Sequence, residues 1–423
     1  MNKYNQSGMT TLLITSMLLI IALLFSLASY KNLFYQIKRT QNEVLARQAH
    51  WVSEGGIECG YSLLNEVKNN TVLMSELDEK CKNKLGISLL DITDVPPYKL
   101  LTVTVSNSGY SKTISKKFKM AGVTSSGVLK STSDIYFKGS IVVSPDPGAL
   151  SSGTYWQCVM LRFKTKFTVS GSFLNQGLIG SLPPYTGFPS GQSCKSGYQS
   201  TLVSGDWNKN NISSYKDIIY DADFDPFLDT FNEPRSKWLD IKNRNDFDKI
   251  EGGLVNINEK KFRLVNNCEG EIAKSINNNF DLIWVVGTCE LKNFDVIDDA
   301  IANNNDIDGV ILVIQDGLFS VDGSHKFPGM IYHLNISFQP NPDLWGLMSS
   351  HKSQPIPTSL SLDKVSYYQR GAFMPSGGYV LDAPGQIAVF GTSMNFLYNK
   401  DLIEKPMDKL KKVSWVEGSW NDL

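Results

Sequence analysis

The sequence predicts an α+β chain: a long N-terminal transmembrane and spine helix, then a large β-rich region, either a β-solenoid or a stacked β-sandwich. Three observations predict this. Residues 9–30 form an uncharged, mostly apolar run, and the stretch from Lys31 to Lys68 contains no proline. Beyond residue 100, short runs rich in β-branched and aromatic residues dominate, separated by Asn, Asp, Gly and Ser. Several of these runs end in a corner of Gly followed by Ser or Thr.

The helix comes first. At a rise of ~1.5 Å per residue, about 20 residues cross a hydrocarbon core of roughly 30 Å, so residues 9–30 are long enough to span one. Leu45, Ala49, Val52, Gly56, Cys59, Leu63 and Val67 then recur at spacings of three and four, which puts them on one helical face. Gly55 and Gly56 weaken that helix locally. One reading of the N-terminus is a cleaved secretory signal, with Lys3 as its basic region and Ser26-Leu27-Ala28 as its cleavage site. Another is an uncleaved signal anchor. The apolar run is longer than a usual signal core and flows without a break into the amphipathic stretch, which disfavours cleavage after Ala28.

The β-rich part follows. Residues 101–105 alternate with period two, Ser-Asn-Ser-Gly109 makes a turn, and residues 110–120 complete a hairpin. The small-residue stretch AGVTSSG at 121–127 is a linker and a boundary. Strand-like runs then occupy 134–143, 167–169, 282–286, 310–314, 329–334 and 386–390. A loose repeat links YFKGS (136–140), TVSGS (168–172), SVDGS (320–324) and AVFGTS (388–393). Glycine supplies the positive-φ corner that stacked parallel coils need. Gly-Ser turns are also common in other β proteins.

Composition narrows the chemistry. A chain of 423 residues holds two or three domains, and a net charge of −1 gives no strong field toward nucleic acid. The six cysteines fall into near-neighbour couples, Cys59 with Cys81, Cys158 with Cys194, and Cys268 with Cys289. That suits disulfides in an oxidising compartment, although six cysteines allow 15 pairings. No C-x-x-C, H-E-x-x-H, G-x-S-x-G, Walker A or dinucleotide fingerprint occurs. Of the four histidines, His325 and His333 flank a strand near Asp316 and Asp322 and read as structural rather than catalytic. The expectation is therefore no enzyme and no cofactor.

One metal candidate stands out. Asn304, Asp306 and Asp308 alternate before Gly309, as in positions one, three, five and six of an EF-hand-type loop that wraps Ca²⁺ in oxygen ligands. Position twelve is Gln315, which cannot chelate as a bidentate carboxylate, so a solvated acidic turn competes with a calcium site. Asp221, Asp223 and Asp225 share the spacing, but Pro226 stands where Gly is needed.

The N-terminus QSG-MTTLLITSMLLIIALLF resembles a class III (prepilin-type) signal of the type IV pilin superfamily. The resemblance implies cleavage by a prepilin peptidase between Gly8 and Met9, N-methylation of Met9, and retention of the apolar helix for packing in a filament. Major pilins carry Glu at the fifth mature position, and Leu13 stands there. In this the chain resembles PilX-type minor pilins and K-type pseudopilins. ARQAHWVSEGGIECGYSLL (46–64) is similar to the stretch that ends the helix in PilX-like proteins. More loosely, 309–334 and the ending with Trp415 and Trp420 resemble their late segments.

The organisation this implies is a leader at 1–8, a transmembrane segment at 9–30, a periplasmic spine at 31–70, a pilin-like hairpin region at 71–122 and a β-rich head at 123–423. The function it implies is a non-enzymatic minor pilin or pseudopilin of a type IV pilus or type II-like secretion system. Such a subunit caps or primes filament assembly at the tip. The implied partners are other pilins, the prepilin peptidase and the inner-membrane assembly platform. The implied location is the bacterial inner membrane, head in the periplasm, then the pilus tip. The alternatives are a pilus-borne adhesin or ligand-binding head, and a signal-anchored periplasmic enzyme.

Overall fold

The computed structural model describes residues 7–66, 74–95, 98–107, 110–120, 127–148, 150–175, 177, 191–410, 413–419 and 421–422. They divide into two compact units, residues 1–120 with 413–423, and residues 121–412. The expected linker at 121–127 falls at this division, with 121–126 outside the described residues. The chain's last strands were expected in the head but belong to the first unit.

In the first unit, α1 (Ser7–Glu66) is one helix of 60 residues. Three antiparallel strands follow, β1 (Leu89–Val95), β2 (Tyr98–Asn107) and β3 (Tyr110–Met120). Val413–Trp415 and Asn421–Asp422 return to pair antiparallel with β3. The expected stripe on α1 is the face that packs: Ala49, Ser53, Gly56, Ile57, Gly60, Leu63 and Leu64 are buried. They meet Leu101, Val103, Ile114 and Phe118. Leu45 lies beyond this contact and is exposed, and Val67 is outside the described residues.

Gly56 is more than a weak point in the helix. A Cβ there would lie 2.6 Å from Ile87 Cδ1 and 2.8 Å from Val103 Cγ1. The missing side chain lets the sheet approach the helix backbone. The returning C-terminal strand is held to α1 by Tyr61, whose hydroxyl donates to the Val413 carbonyl at 3.0 Å and whose ring stacks on Trp415 at 4.3 Å.

The second unit contains two eight-stranded sheets, and the chain alternates between them. Leu282–Val286, Val310–Gln315, Gly329–Leu334 and Tyr379–Asp382 are neighbours in one sheet. Cys289–Leu291, Phe319–Asp322, Val365–Arg370 and Ile387–Phe390 are neighbours in the other. All these pairings are parallel, so each pass of the chain adds one strand to each sheet.

The order along the stack is permuted. The last pass lies beside the first: Tyr379–Asp382 pairs with Leu129–Ser131, and Ile387–Phe390 with Asp134–Val143. The stack then continues through Leu161–Phe163 and Lys166–Asn175. Both ends of this unit therefore enter near the middle of its stack.

Glycine is required where successive passes turn together. Gly171 (φ 149°) pairs with Gly139 (φ 95°), and a Cβ on Gly171 would sit 2.1 Å from the Gly139 carbonyl oxygen. These are two of the four Gly-Ser corners noted in the sequence. A third, Gly323, stacks instead against Gly371.

The interior between the sheets is aromatic, with Phe137 stacked on Phe173 at 4.9 Å and on Phe390 at 5.2 Å. The outer face of the first sheet is covered by Phe227, Phe231, Met407 and Leu410, which pack with Trp284 and Tyr332. Leu344, Trp345 and Met348 cover the second, packing with Tyr368 and Val389. This two-sided cover explains why Val310–Gln315 and Gly329–Leu334 are buried at every position.

Candidate functional site

The N-terminal part of α1 is the element the sequence singled out. Gly8, Met9 and Leu13 all lie on the exposed start of the helix, Met9 at 75% and Leu13 at 61% exposure. Every position from Gly8 to Ala46 is exposed within the chain. Among the described residues it is the one helix long and apolar enough to cross a membrane. It is compatible with a membrane anchor or a signal sequence. Its backbone is helical through Ser26, Leu27 and Ala28, without a break at the alternative cleavage point.

The cysteines form three disulfides in the expected couples, Cys59–Cys81, Cys158–Cys194 and Cys268–Cys289, and no described cysteine is free. The first ties α1 to the short helical segment Asp78–Lys82 that follows it. The third joins the start of helix Cys268–Asn277 to strand Cys289–Leu291.

At the proposed calcium turn, protein groups engage the side chains of Asn304 and Asp308. Asn304 donates through Nδ2 to the Ile276 carbonyl and to Asn279 Oδ1, both at 2.8 Å, and accepts from the Asp306 amide at 3.1 Å. The Lys405 ammonium lies 3.7 Å from Asp308 Oδ2 and donates to the Asp306 carbonyl. The turn thus carries a lysine of the helix Asp401–Leu410 on its acidic side. Asp221 pairs with Arg162 at 3.2 Å, and Asp225 caps the helix Pro226–Phe231 by accepting from the Phe227 and Leu228 amides. Pro226 suits that first helical turn because it has no amide to satisfy. Among the described residues no three His, Cys, Asp or Glu side chains are grouped to hold a metal.

The histidines are built into the packing. His333 is 1% exposed, and its Nε2 donates to the Gly317 carbonyl at 3.0 Å. Burial pulls its pKa down to about 4, so it is neutral at neutral pH. His325 stacks on Phe294 at 4.6 Å with Nε2 3.1 Å from Asp298 Oδ1. No hydroxyl or thiol nucleophile hydrogen-bonds to either ring among the described contacts. Asp316 accepts from the Ile336, Ser337 and Phe338 amides, and Asp322 pairs with Arg370.

A buried polar cluster closes one corner of the stack. Asp382 accepts from Arg235 Nε at 3.0 Å, Thr132 Oγ1 at 3.0 Å and the Tyr332 hydroxyl at 3.1 Å. Burial pushes its carboxyl pKa up, against the opposing pull of the Arg235 guanidinium. Tyr332 is pushed up by its own burial and then by the Asp382 charge. These groups satisfy one another, so the cluster reads as structural.

Two concavities lie beside helix Cys268–Asn277. A cleft of about 450 Å³ is lined by paired charges: Glu251 bonds Lys242 and Glu271 bonds Lys274. A cavity of about 280 Å³ is lined by Glu269 and Glu290. Neither glutamate stood out in the sequence. The available signal was that each directly follows a half-cystine of one couple. Comparison with known proteins gives no match to any family model, to any curated protein or to any solved structure.

Proposed function

We propose that this chain is a minor pilin or pseudopilin of a type IV pilus or type II-like secretion system, non-enzymatic, capping or priming a filament at its tip. The observation that carries the reading is the division within α1. Its apolar first half has no cover inside the chain, while its second half is built into a disulfide-braced β-sheet. Such a helix needs a partner outside its own unit, in lipid first and then among other subunits' helices. The prepilin-like junction at Gly8–Met9 specifies the kind of partner.

The head is read as a β-solenoid rather than a sandwich, because parallel strands alternate between two sheets from one pass to the next. Leu13 in place of Glu leaves a neighbour's N-terminal amine without a carboxylate, and an unpaired buried charge is costly. A subunit with no neighbour above it escapes that cost, which favours the tip. Orientation is set by two opposed features. Lys31, Lys38 and Arg39 follow the apolar run and Lys3 alone precedes it, a bias that favours a cytoplasmic C-terminal side. Three disulfides require an oxidising compartment. The reading follows the disulfides.

Immunogold labelling with antibody to the head tests the tip assignment. Gold at one filament end is the expected result; uniform labelling along the shaft excludes the capping role. A head protected from protease added to spheroplasts excludes the periplasmic orientation.

A further inference from the structure

We propose, on the reading of α1 as a membrane helix, that Lys31, Lys38 and Arg39 form a collar that binds the phosphates of anionic phospholipids at the membrane surface. The apolar run ends at Tyr30, and the three cations follow directly on the same helix. From Gly8 to Asn42 the sequence has no Asp or Glu, so no carboxylate near them along the helix neutralises them. The first acidic residue, Glu43, is engaged by Arg47 at 2.8 Å. All three positions are exposed within the chain. At about 100° per residue, Lys38 lies about 20° and Arg39 about 80° around the helix from Lys31, so the charges share one side. Tyr30 and Tyr35 are exposed beside them, and such rings favour the headgroup level.

Depth and direction select the ligand. Headgroups occupy about 5–7 Å on each side of the hydrocarbon core. Lys31 stands at the inner edge of that layer, and the Lys38 backbone lies about 12 Å beyond Tyr30. Side chains on a helix lean toward its N-terminus, which here is toward the bilayer. Lys38 does so: its Nζ lies over the Phe34 ring, 5.0 Å from the centroid and one turn back. The ammonium is thereby held about 6 Å beyond Tyr30, inside the headgroup layer. Arg39 adds a guanidinium whose fork matches two phosphate oxygens at once. A zwitterionic lipid carries its own cation beside the phosphate and competes with the lysines; an anionic lipid does not. Cations on the disulfide side of the run then serve lipid binding rather than topology, which accounts for the opposition between charge bias and disulfides.

The test inserts the full-length chain into nanodiscs of equimolar dioleoylphosphatidylcholine and dioleoylphosphatidylglycerol. Native mass spectrometry then counts the lipids that leave the disc with the protein. The expected result is phosphatidylglycerol retained in about threefold or larger excess over phosphatidylcholine. The excess should fall to parity when Lys31→Gln, Lys38→Gln and Arg39→Gln are combined. Lys38→Arg should keep it, because a long cationic side chain remains at that position. Arg47→Gln should leave it unchanged, because that cation is paired with Glu43 and lies about 25 Å beyond Tyr30. Equal retention of the two lipids overturns the proposal. So does an excess that survives the triple variant, or one that Arg47→Gln removes as fully. A chain that does not enter the discs overturns the membrane reading and the collar with it. A chain that enters without lipid preference overturns the collar alone.

Discussion

Residues 9–30 of α1 and the head strands Val310–Gln315 and Gly329–Leu334 are similarly rich in Leu, Ile, Val and Met, yet their surroundings are opposite. Large apolar side chains in 9–30 are between 42% and 75% exposed, whereas both strands are buried at every position. The strands find cover in the chain itself: neighbouring passes on two sides, the opposite sheet inward, and helices outward. The helix has none. Burying its fourteen exposed large apolar side chains is worth on the order of 20 kcal/mol or more, at about 1.5–3 kcal/mol each. That exceeds the typical net stability of a domain, about 5–15 kcal/mol. Such a surface is matched by lipid or by other helices, not by water.

The sharpest way to break the comparison is to make the exposed run polar. Leu19→Asp with Leu23→Asp places two carboxylates in the run, at about 2.5–3.5 kcal/mol each in a bilayer centre. The chain should move from the membrane pellet to the soluble fraction while the melting temperature of the head stays unchanged. A lowered melting temperature would mean that residues 9–30 are covered by the chain's own fold.

Removing the Cys268–Cys289 bridge as a double serine variant acts on the opposite region. Its short loop should cost about 3 kcal/mol in the chain-entropy model, read as a lower urea midpoint, with membrane retention unaffected.

Acid should also find the buried region. With a folded pKa near 4, against an ordinary value of 6.5, His333 stays neutral while the unfolded chain takes up its proton. Its contribution is fully present above about pH 6.5 and is lost as pH falls toward 4, up to about 3 kcal/mol for this fully buried ring. Asp382 has the opposite slope, because its folded pKa is raised. The difference between wild type and His333→Gln isolates the histidine: urea midpoints at pH 7 and 4.5 should spread less in the variant.

The smallest effect compares adjacent glycines on α1. Gly56→Val meets Ile87 and Val103 and should destabilise the first unit by about 1–3 kcal/mol. Gly55→Ala points into open space and should stabilise the helix by up to about 1 kcal/mol. Equal effects at both sites would contradict the close approach of sheet to helix.

How much of this was legible in the sequence depended on the range of the signal. Local periodicity carried α1, expected over 9–70 and described as Ser7–Glu66, and it carried β3 and the strands Asp134–Val143, Leu282–Val286 and Gly329–Leu334 with their bounds. Cysteine spacing carried the couples. The permuted stacking was hidden, because which pass lies beside which is decided by contacts between residues such as Tyr379 and Leu129, far apart in the chain. The return of Val413–Trp415 to β3 was hidden for the same reason. Helices Cys268–Asn277 and Asp295–Ala302 were missed: each is short, and their Asp, Asn and Ser residues resemble loop composition. The Gly-Ser repeat pointed to positive-φ corners at Gly139, Gly171 and Gly323 but not at Gly391, and it did not show the partner of Gly323.

In the proposed minor pilin, α1 is kept whole and is cut only ahead of its apolar run. Intact-mass and N-terminal peptide mass spectrometry of chain purified from its native membrane tests this directly. The expected result is a mature chain beginning at Met9 with a methylated amine, and a block of processing when Gly8 is replaced by a large residue. A chain beginning at Ser29 would contradict it, because the exposed apolar half of α1 would then be a discarded signal rather than the part by which the protein assembles.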